Sequence, residues 1–228
     1  SYLGKPGSEA KDGMSMARYG ARQEQFRRAG IAALLDTPYF IDRAEALYGY
    51  PHSICDTGGS ICEWVDPSNP NDELMKTLSE NTLMIWLKGS EAHTEELIRR
   101  FDRAPKPMAY QPSFLARVWG EYLSENQCTE NEVDPDSFIR FTYARALAHR
   151  QPRYEAMAKW GVTIDATDIA TVRDARDFDA VVTAALEARA KASEIRLPQS
   201  NATPMPSTMP SPLPSYAGLE CARVHGTA

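Results

Sequence analysis

The segment Thr82-Leu83-Met84-Ile85-Trp86-Leu87-Lys88 constrains the fold more than any other part of this chain. A near-continuous apolar run of this kind reads as a strand covered on both faces, which is how a parallel sheet sits between layers of helices. Two shorter stretches join it. His52-Ser53-Ile54-Cys55 runs into the turn Asp56-Thr57-Gly58-Gly59-Ser60 and reads as a buried strand ending in glycines, and Gly161-Val162-Thr163-Ile164 is a third candidate.

Helical patterns separate these strands. Apolar residues recur at helical spacing from about Ser15 to Leu35. Thr37 with Pro38 opens a second helix that closes at Gly49 and Pro51. Ser90 caps a third, carrying Leu97, Ile98 and Phe101, and another spans about Phe114 to Leu123. Asp134 and Pro135 start one that runs to about His149, with a short helix after Pro152 and a final one around Phe178 to Leu186. Helices alternating with short strands predict an α/β domain with a parallel sheet.

The 228 residues suffice for one domain and a tail. The expected division is a folded part over 1–195 and a disordered Pro/Ser/Met-rich tail over 196–228, because the closely spaced prolines from Pro204 to Pro214 forbid both helix and ladder. No apolar run reaches membrane-spanning length, so no membrane partner is expected. The net charge of -6 gives no overall attraction to nucleic acid, which makes that partner unexpected too. Four cysteines without a C-x-x-C pair read as reduced thiols, without disulfide or zinc, in the cytoplasm.

Three segments carry candidate chemistry. Ligands of parallel α/β sheets sit beyond the carboxyl ends of the strands, where Asp56 could hold magnesium or orient an acceptor hydroxyl. Gly58 and Gly59 there would let backbone N–H groups approach a ligand. The plain alternative is a tight turn with a solvated Asp. Arg99, Arg100, Arg103 and Lys106 form a basic run suited to phosphate oxygens, or simply a solvated helix face beside Glu95, Glu96 and Asp102. Arg150-Gln151-Pro152-Arg153-Tyr154 sets two arginines around a helix-breaking proline. Gly4-Lys5 does not make a phosphate loop, since Pro6 follows it and no strand precedes it.

Taken in order, these segments resemble the second half of shikimate-kinase-like P-loop kinases. Thr57-Gly58-Gly59-Ser60 stands where that family has its T-G-G-G acceptor turn, Arg99, Arg100 and Lys106-Pro107 where it has a helix arginine and an R-P lid, and Arg150, Pro152 and Tyr154 match its R-x-P-x-Y. The stretch from Tyr2-Leu3-Gly4-Lys5-Pro6-Gly7 through Cys55 to Glu63 and Gln151 to Tyr154 further resembles an alphaproteobacterial family of P-loop ATPases, over about residues 1 to 192.

The resemblance implies a P-loop NTPase-like, shikimate-kinase-like parallel sheet flanked by helices, with the N-terminal strand and phosphate loop missing from this chain. It implies an ATPase or small-molecule-kinase-like protein that uses ATP and Mg2+, inactive in this form. Asp56 would be catalytic and hold the metal, Thr57, Gly58, Gly59 and Ser60 would bind an acceptor, and Arg99, Arg100, Arg103, Lys106, Arg150 and Arg153 would bind the nucleotide phosphates. Its partners would be a nucleotide and a small acceptor, with pairing to an N-terminal segment or another chain. Ile41, Ser60 and Lys106 depart from the kinase pattern, so shikimate is not the expected acceptor. The alternative is a non-catalytic module binding an anionic metabolite or a partner protein.

Overall fold

The structure, a computed structural model, describes residues 2–195, so the tail lies outside the described residues. Its α-helices are α1 (Met16–Leu35), α2 (Thr37–Tyr48), α3 (Glu73–Asn81), α4 (Glu91–Arg103), α5 (Pro112–Asn126), α6 (Pro135–Ala158), α7 (Ala166–Ile169) and α8 (Ala175–Ile195). The strands are β1 (Ile85–Lys88) and β2 (Val162–Asp165), and short 3-10 turns cover Glu9–Lys11, Gly59–Glu63 and Glu130–Glu132.

The expected sheet sandwiched between helices is not what forms. The described residues are 66% helix and 5% strand, and the sheet has two strands, parallel, with Ile85 opposite Val162 and Lys88 opposite Asp165. Residues 52–55 form no strand. They offer one aliphatic side chain, Ile54, which stands 97% exposed, and polar His52 and Ser53 give no reason to bury the segment. β1 is not covered on both faces either, since Leu87 and Lys88 at its end are exposed. With one neighbouring strand instead of two, a sheet has no central position to fill.

Local chemistry explains the helix boundaries. Asp72 caps α3 by accepting from the Met75 N–H at 2.9 Å, and Asp134 caps α6 by accepting from the Ser137 N–H at 2.8 Å, with Pro135 in its first turn. Ser90 and His93 form a reciprocal capping box at α4. Gly49 ends α2 in the left-handed region, at φ 63°, where its N–H reaches the Glu45 carbonyl. The sequence predicts a break at Pro152, but α6 runs through it to Ala158. Proline forfeits one backbone donor there. The side chains of Arg150, Arg153 and Tyr154 fasten both sides of that turn to the rest of the molecule.

Two apolar clusters make the interior. In the first, Phe114, Val118 and Trp119 of α5 pack with Phe138 and Ile139 of α6, Tyr19 of α1 and Leu3 of the N-terminal loop. In the second, Ile61, Cys62 and Val65 pack with Leu74, Met75 and Leu78 of α3 and Met157 of α6. The N-terminal loop is pinned by Gly7 N–H to Met14 O and Ser8 N–H to Val133 O, both 2.9 Å. Gly7 is required there, because a Cβ would lie 2.8 Å from the Val133 carbonyl oxygen. Among the described residues no helix is long and apolar enough to cross a membrane.

Candidate functional site

Residues 56–65 and the Arg150–Tyr154 turn of α6 do come together, where the two apolar clusters meet. Asp56 turns its carboxylate back to accept from the Gly58 N–H at 3.0 Å, and Gly58 takes φ 61° to make that turn. The chain then winds into the 3-10 turn Gly59–Glu63, which α6 grips from one side. The Tyr154 hydroxyl donates to the Gly59 carbonyl at 2.8 Å. A Cβ on Gly59 would stand 2.7 Å from that hydroxyl oxygen, so an alanine there would have to displace the hydroxyl. Cys62 also directs its thiol at the Gly59 carbonyl, 3.1 Å away, and burial pushes that thiol up to about 11.

The charged residues bind the chain to itself. Arg150 Nε donates to Glu63 Oε1 at 2.6 Å, with the two side chains 3% and 0% exposed. Its Nη2 donates to the Ala109 carbonyl at 2.6 Å, while Glu63 Oε2 accepts from the Gln111 N–H at 3.2 Å. Burial opposes the charge on Arg150, but the Glu63 carboxylate and its neighbours outweigh burial and hold the arginine's pKa above its ordinary value. Arg153 donates to the carbonyls of Cys62 at 2.6 Å and Val65 at 2.7 Å. His149 Nε2 lies 3.1 Å from the Gln111 amide. Turned so that its nitrogen donates to the histidine, that amide also accepts from Arg153 at 3.0 Å. A buried charge pair is tolerable only when its remaining donors and acceptors are satisfied, and this network largely does that.

The other basic run lies elsewhere. Arg99 and Arg100 on the exposed face of α4 both pair with Glu96, Arg100 at 2.7 Å. Arg103 is exposed and makes no ion pair or hydrogen bond among the described residues. Lys106 borders a cavity of about 790 Å³ whose charged walls are Lys5, Lys11, Asp12, Asp134 and Asp136, so its charges balance. No hydrogen bond or ion pair joins Arg99, Arg100, Arg103 or Lys106 to residues 56–60. Thr57 turns its hydroxyl to the Gly58 carbonyl, and Ser60 sits within the 3-10 turn.

A magnesium shell needs carboxylate or hydroxyl oxygens converging with substrate phosphates. Among the described residues no group of three or more His, Cys, Asp or Glu side chains converges in that way, and Asp56 has one carboxylate oxygen engaged by its own turn.

No family model, curated protein or solved structure matches the chain. The resemblance to P-loop ATPases therefore rests on the quoted motifs alone.

Sequence reasoning missed Glu63, Gln111 and His149. The signal for Glu63 was a carboxylate set between Ile61-Cys62 and Trp64-Val65, an apolar setting that a solvated acid has no reason to occupy. It also missed a surface. Tyr39, Phe40, Leu47, Tyr48, Tyr50 and Ile54, on α2 and the segment that leaves it, are 56% to 97% exposed. The signal there was Tyr39-Phe40-Ile41, three consecutive large apolar residues in a helix, which cannot all face one core.

Proposed function

We propose that this chain is a non-catalytic docking module for another polypeptide. The observation that carries this reading is the apolar face of α2. Thr37, Ile41 and Ala44 turn toward the body of the protein, where α2 packs on α1 and α3. Tyr39, Phe40, Arg43 and Leu47 fall within about 100° of arc on another side of the same helix. Tyr39 and Phe40 meet edge to face, with ring centres 5.5 Å apart, and exposed Tyr48 stacks on Tyr50 at 5.5 Å at the helix end. Aromatic residues and arginine are the side chains most enriched where proteins bind one another.

Two further features support the reading. Arg150, Arg153 and Asp56 are engaged by the chain's own groups, which favours a structural role for these motifs over phosphoryl transfer. The sheet is also open. The bond from Val162 N–H to Met84 O sets the phase of the ladder, so the backbone groups of Ile85 and Leu87 point away from β2. Among the described residues no strand pairs with that edge, and beside exposed Leu83 and Leu87 it is a second place for a polypeptide to pair.

The test is selection of a displayed peptide library on the purified chain. The expected result is a set of apolar, aromatic-rich peptides that bind in the micromolar range and lose binding to a Phe40→Asp variant. Selection of no binder, or of binders indifferent to α2 and to the β1 edge alike, contradicts the reading.

A further inference from the structure

We infer that the free edge of β1 takes an extended strand from a partner polypeptide, with apolar side chains at alternate positions and an acidic residue where that strand meets Lys88. The inference rests on the reading of this chain as a docking module and names what its second docking place recognises.

Backbone hydrogen bonding identifies a strand as the occupant. In the parallel ladder Val162 N–H donates to Met84 O at 2.9 Å, so Met84 and Trp86 serve β2 while the N–H and C=O of Ile85 and Leu87 face the other way. Among the described residues nothing pairs with those outward groups. Donors and acceptors alternating along one edge are met together by the backbone of another strand, which carries the same alternation. Nor does the edge carry the usual devices against such pairing, since residues 83–87 hold neither a charge nor a proline.

The side chains set the pattern of that strand. Opposed residues of paired strands share a face, so Ile85 lies with Val162 and Leu87 with Ile164. Val162 and Ile164 are each 3% exposed, whereas Leu87 is 51% exposed, so the cover over β2, where α8 packs, stops short of the end of β1. Leu83 falls on the same face by alternation and is also exposed. Apolar residues opposite Leu83, Ile85 and Leu87 therefore extend an apolar layer that already exists. Lys88 closes the edge. It is exposed and makes no ion pair among the described residues, its ammonium lying 5.9 Å from the centre of the Trp86 ring. A carboxylate opposite Lys88 completes an opposite-charge pair across the strands.

The probe is the end-capped heptapeptide Asp-Val-Thr-Val-Thr-Val-Asp. It reads alike in either direction, so it sets valines opposite Leu83, Ile85 and Leu87 and an aspartate opposite Lys88 whichever way it lies. Calorimetric titration of the full chain should give a Kd of about 100 µM or tighter. A peptide of the same composition with its valines made consecutive should not bind. Leu87→Pro removes one outward donor at a position where an edge strand tolerates proline, and leaves the ladder to β2 whole. That variant should keep the wild-type circular dichroism and bind about tenfold more weakly than Leu87→Ala, which retains the donor. Lys88→Glu should weaken binding about threefold or more, and a probe with lysine in place of aspartate should restore it. Should Leu87→Pro lose its fold, this charge exchange at an exposed side chain decides alone. A wild-type chain that does not bind the probe overturns the inference, and so does equal binding of the rearranged peptide or a Lys88→Glu variant that still prefers aspartate. A probe that fails while Phe40-dependent peptides are still selected refutes the strand and spares the α2 docking surface.

Discussion

Replacing Glu63 with alanine should destabilise this protein far more than a typical point change. In the native state Arg150 is 3% exposed, and its charge is met by Glu63 at 2.6 Å and the Ala109 carbonyl at 2.6 Å. Removing the carboxylate leaves that guanidinium buried beside a single neutral acceptor and also strands the Gln111 N–H. Breaking one side of a buried ion pair costs about 3 to 5 kcal/mol, a large share of the roughly 5 to 15 kcal/mol by which domains are stable. At about 2 to 4 °C per kcal/mol for a chain of this size, the melting temperature should fall by about 6 to 20 °C. Thermal and urea unfolding of Glu63→Ala, Arg150→Met and the double variant Glu63→Met/Arg150→Met form the assay. The double variant should lie well above either single one, because replacing both charges leaves neither uncompensated. A Glu63→Ala variant within about 1 kcal/mol of wild type would refute the reasoning, since surface changes alone produce effects that small.

Arg153→Lys should cost about 2 to 4 kcal/mol in urea titrations, because a lysine cannot reproduce the fork that holds the Cys62 and Val65 carbonyls. Gly59→Ala should cost about 1 to 3 kcal/mol by forcing the Tyr154 hydroxyl off the Gly59 carbonyl, and Gly59→Ala with Tyr154→Phe should cost less than the two effects added together. Burial, helped by the nearby arginines, holds His149 below its ordinary pKa, so the unfolded chain takes up that proton first. The contribution of His149 is therefore complete above about pH 7 and is lost as pH falls through the window between its unfolded and folded pKa values, and His149→Gln should flatten the stability profile there.

Helix punctuation is legible in the sequence because it is local. Asp134-Pro135, Ser90 and Gly49 act within one turn of chain, and each stands at the helix end that its chemistry suits. Strand identity is less legible. The apolar run Thr82 to Lys88 does hold a strand, shortened to Ile85–Lys88, while His52 to Cys55 has no regular structure because nothing flanks it to pair with. The site is half legible. The resemblance places Gly58-Gly59 and Arg150 to Tyr154 in one site, but the ion pair that anchors Arg150 is with Glu63, 87 residues away in sequence, and no local pattern encodes such a pairing. Nor can helical spacing separate the inward stripe of α2 from its outward one, since both are apolar and only the packing of α1 and α3 decides which is covered.

Hydrogen–deuterium exchange of the full chain, compared alone, with a selected apolar peptide and with Mg-ATP, tests the central claim most directly. The account predicts slowed exchange over 39–50 with the peptide and no change anywhere with Mg-ATP. Slowed exchange over 56–60 and 103–106 on adding Mg-ATP, with α2 unaffected by any polypeptide, would contradict it.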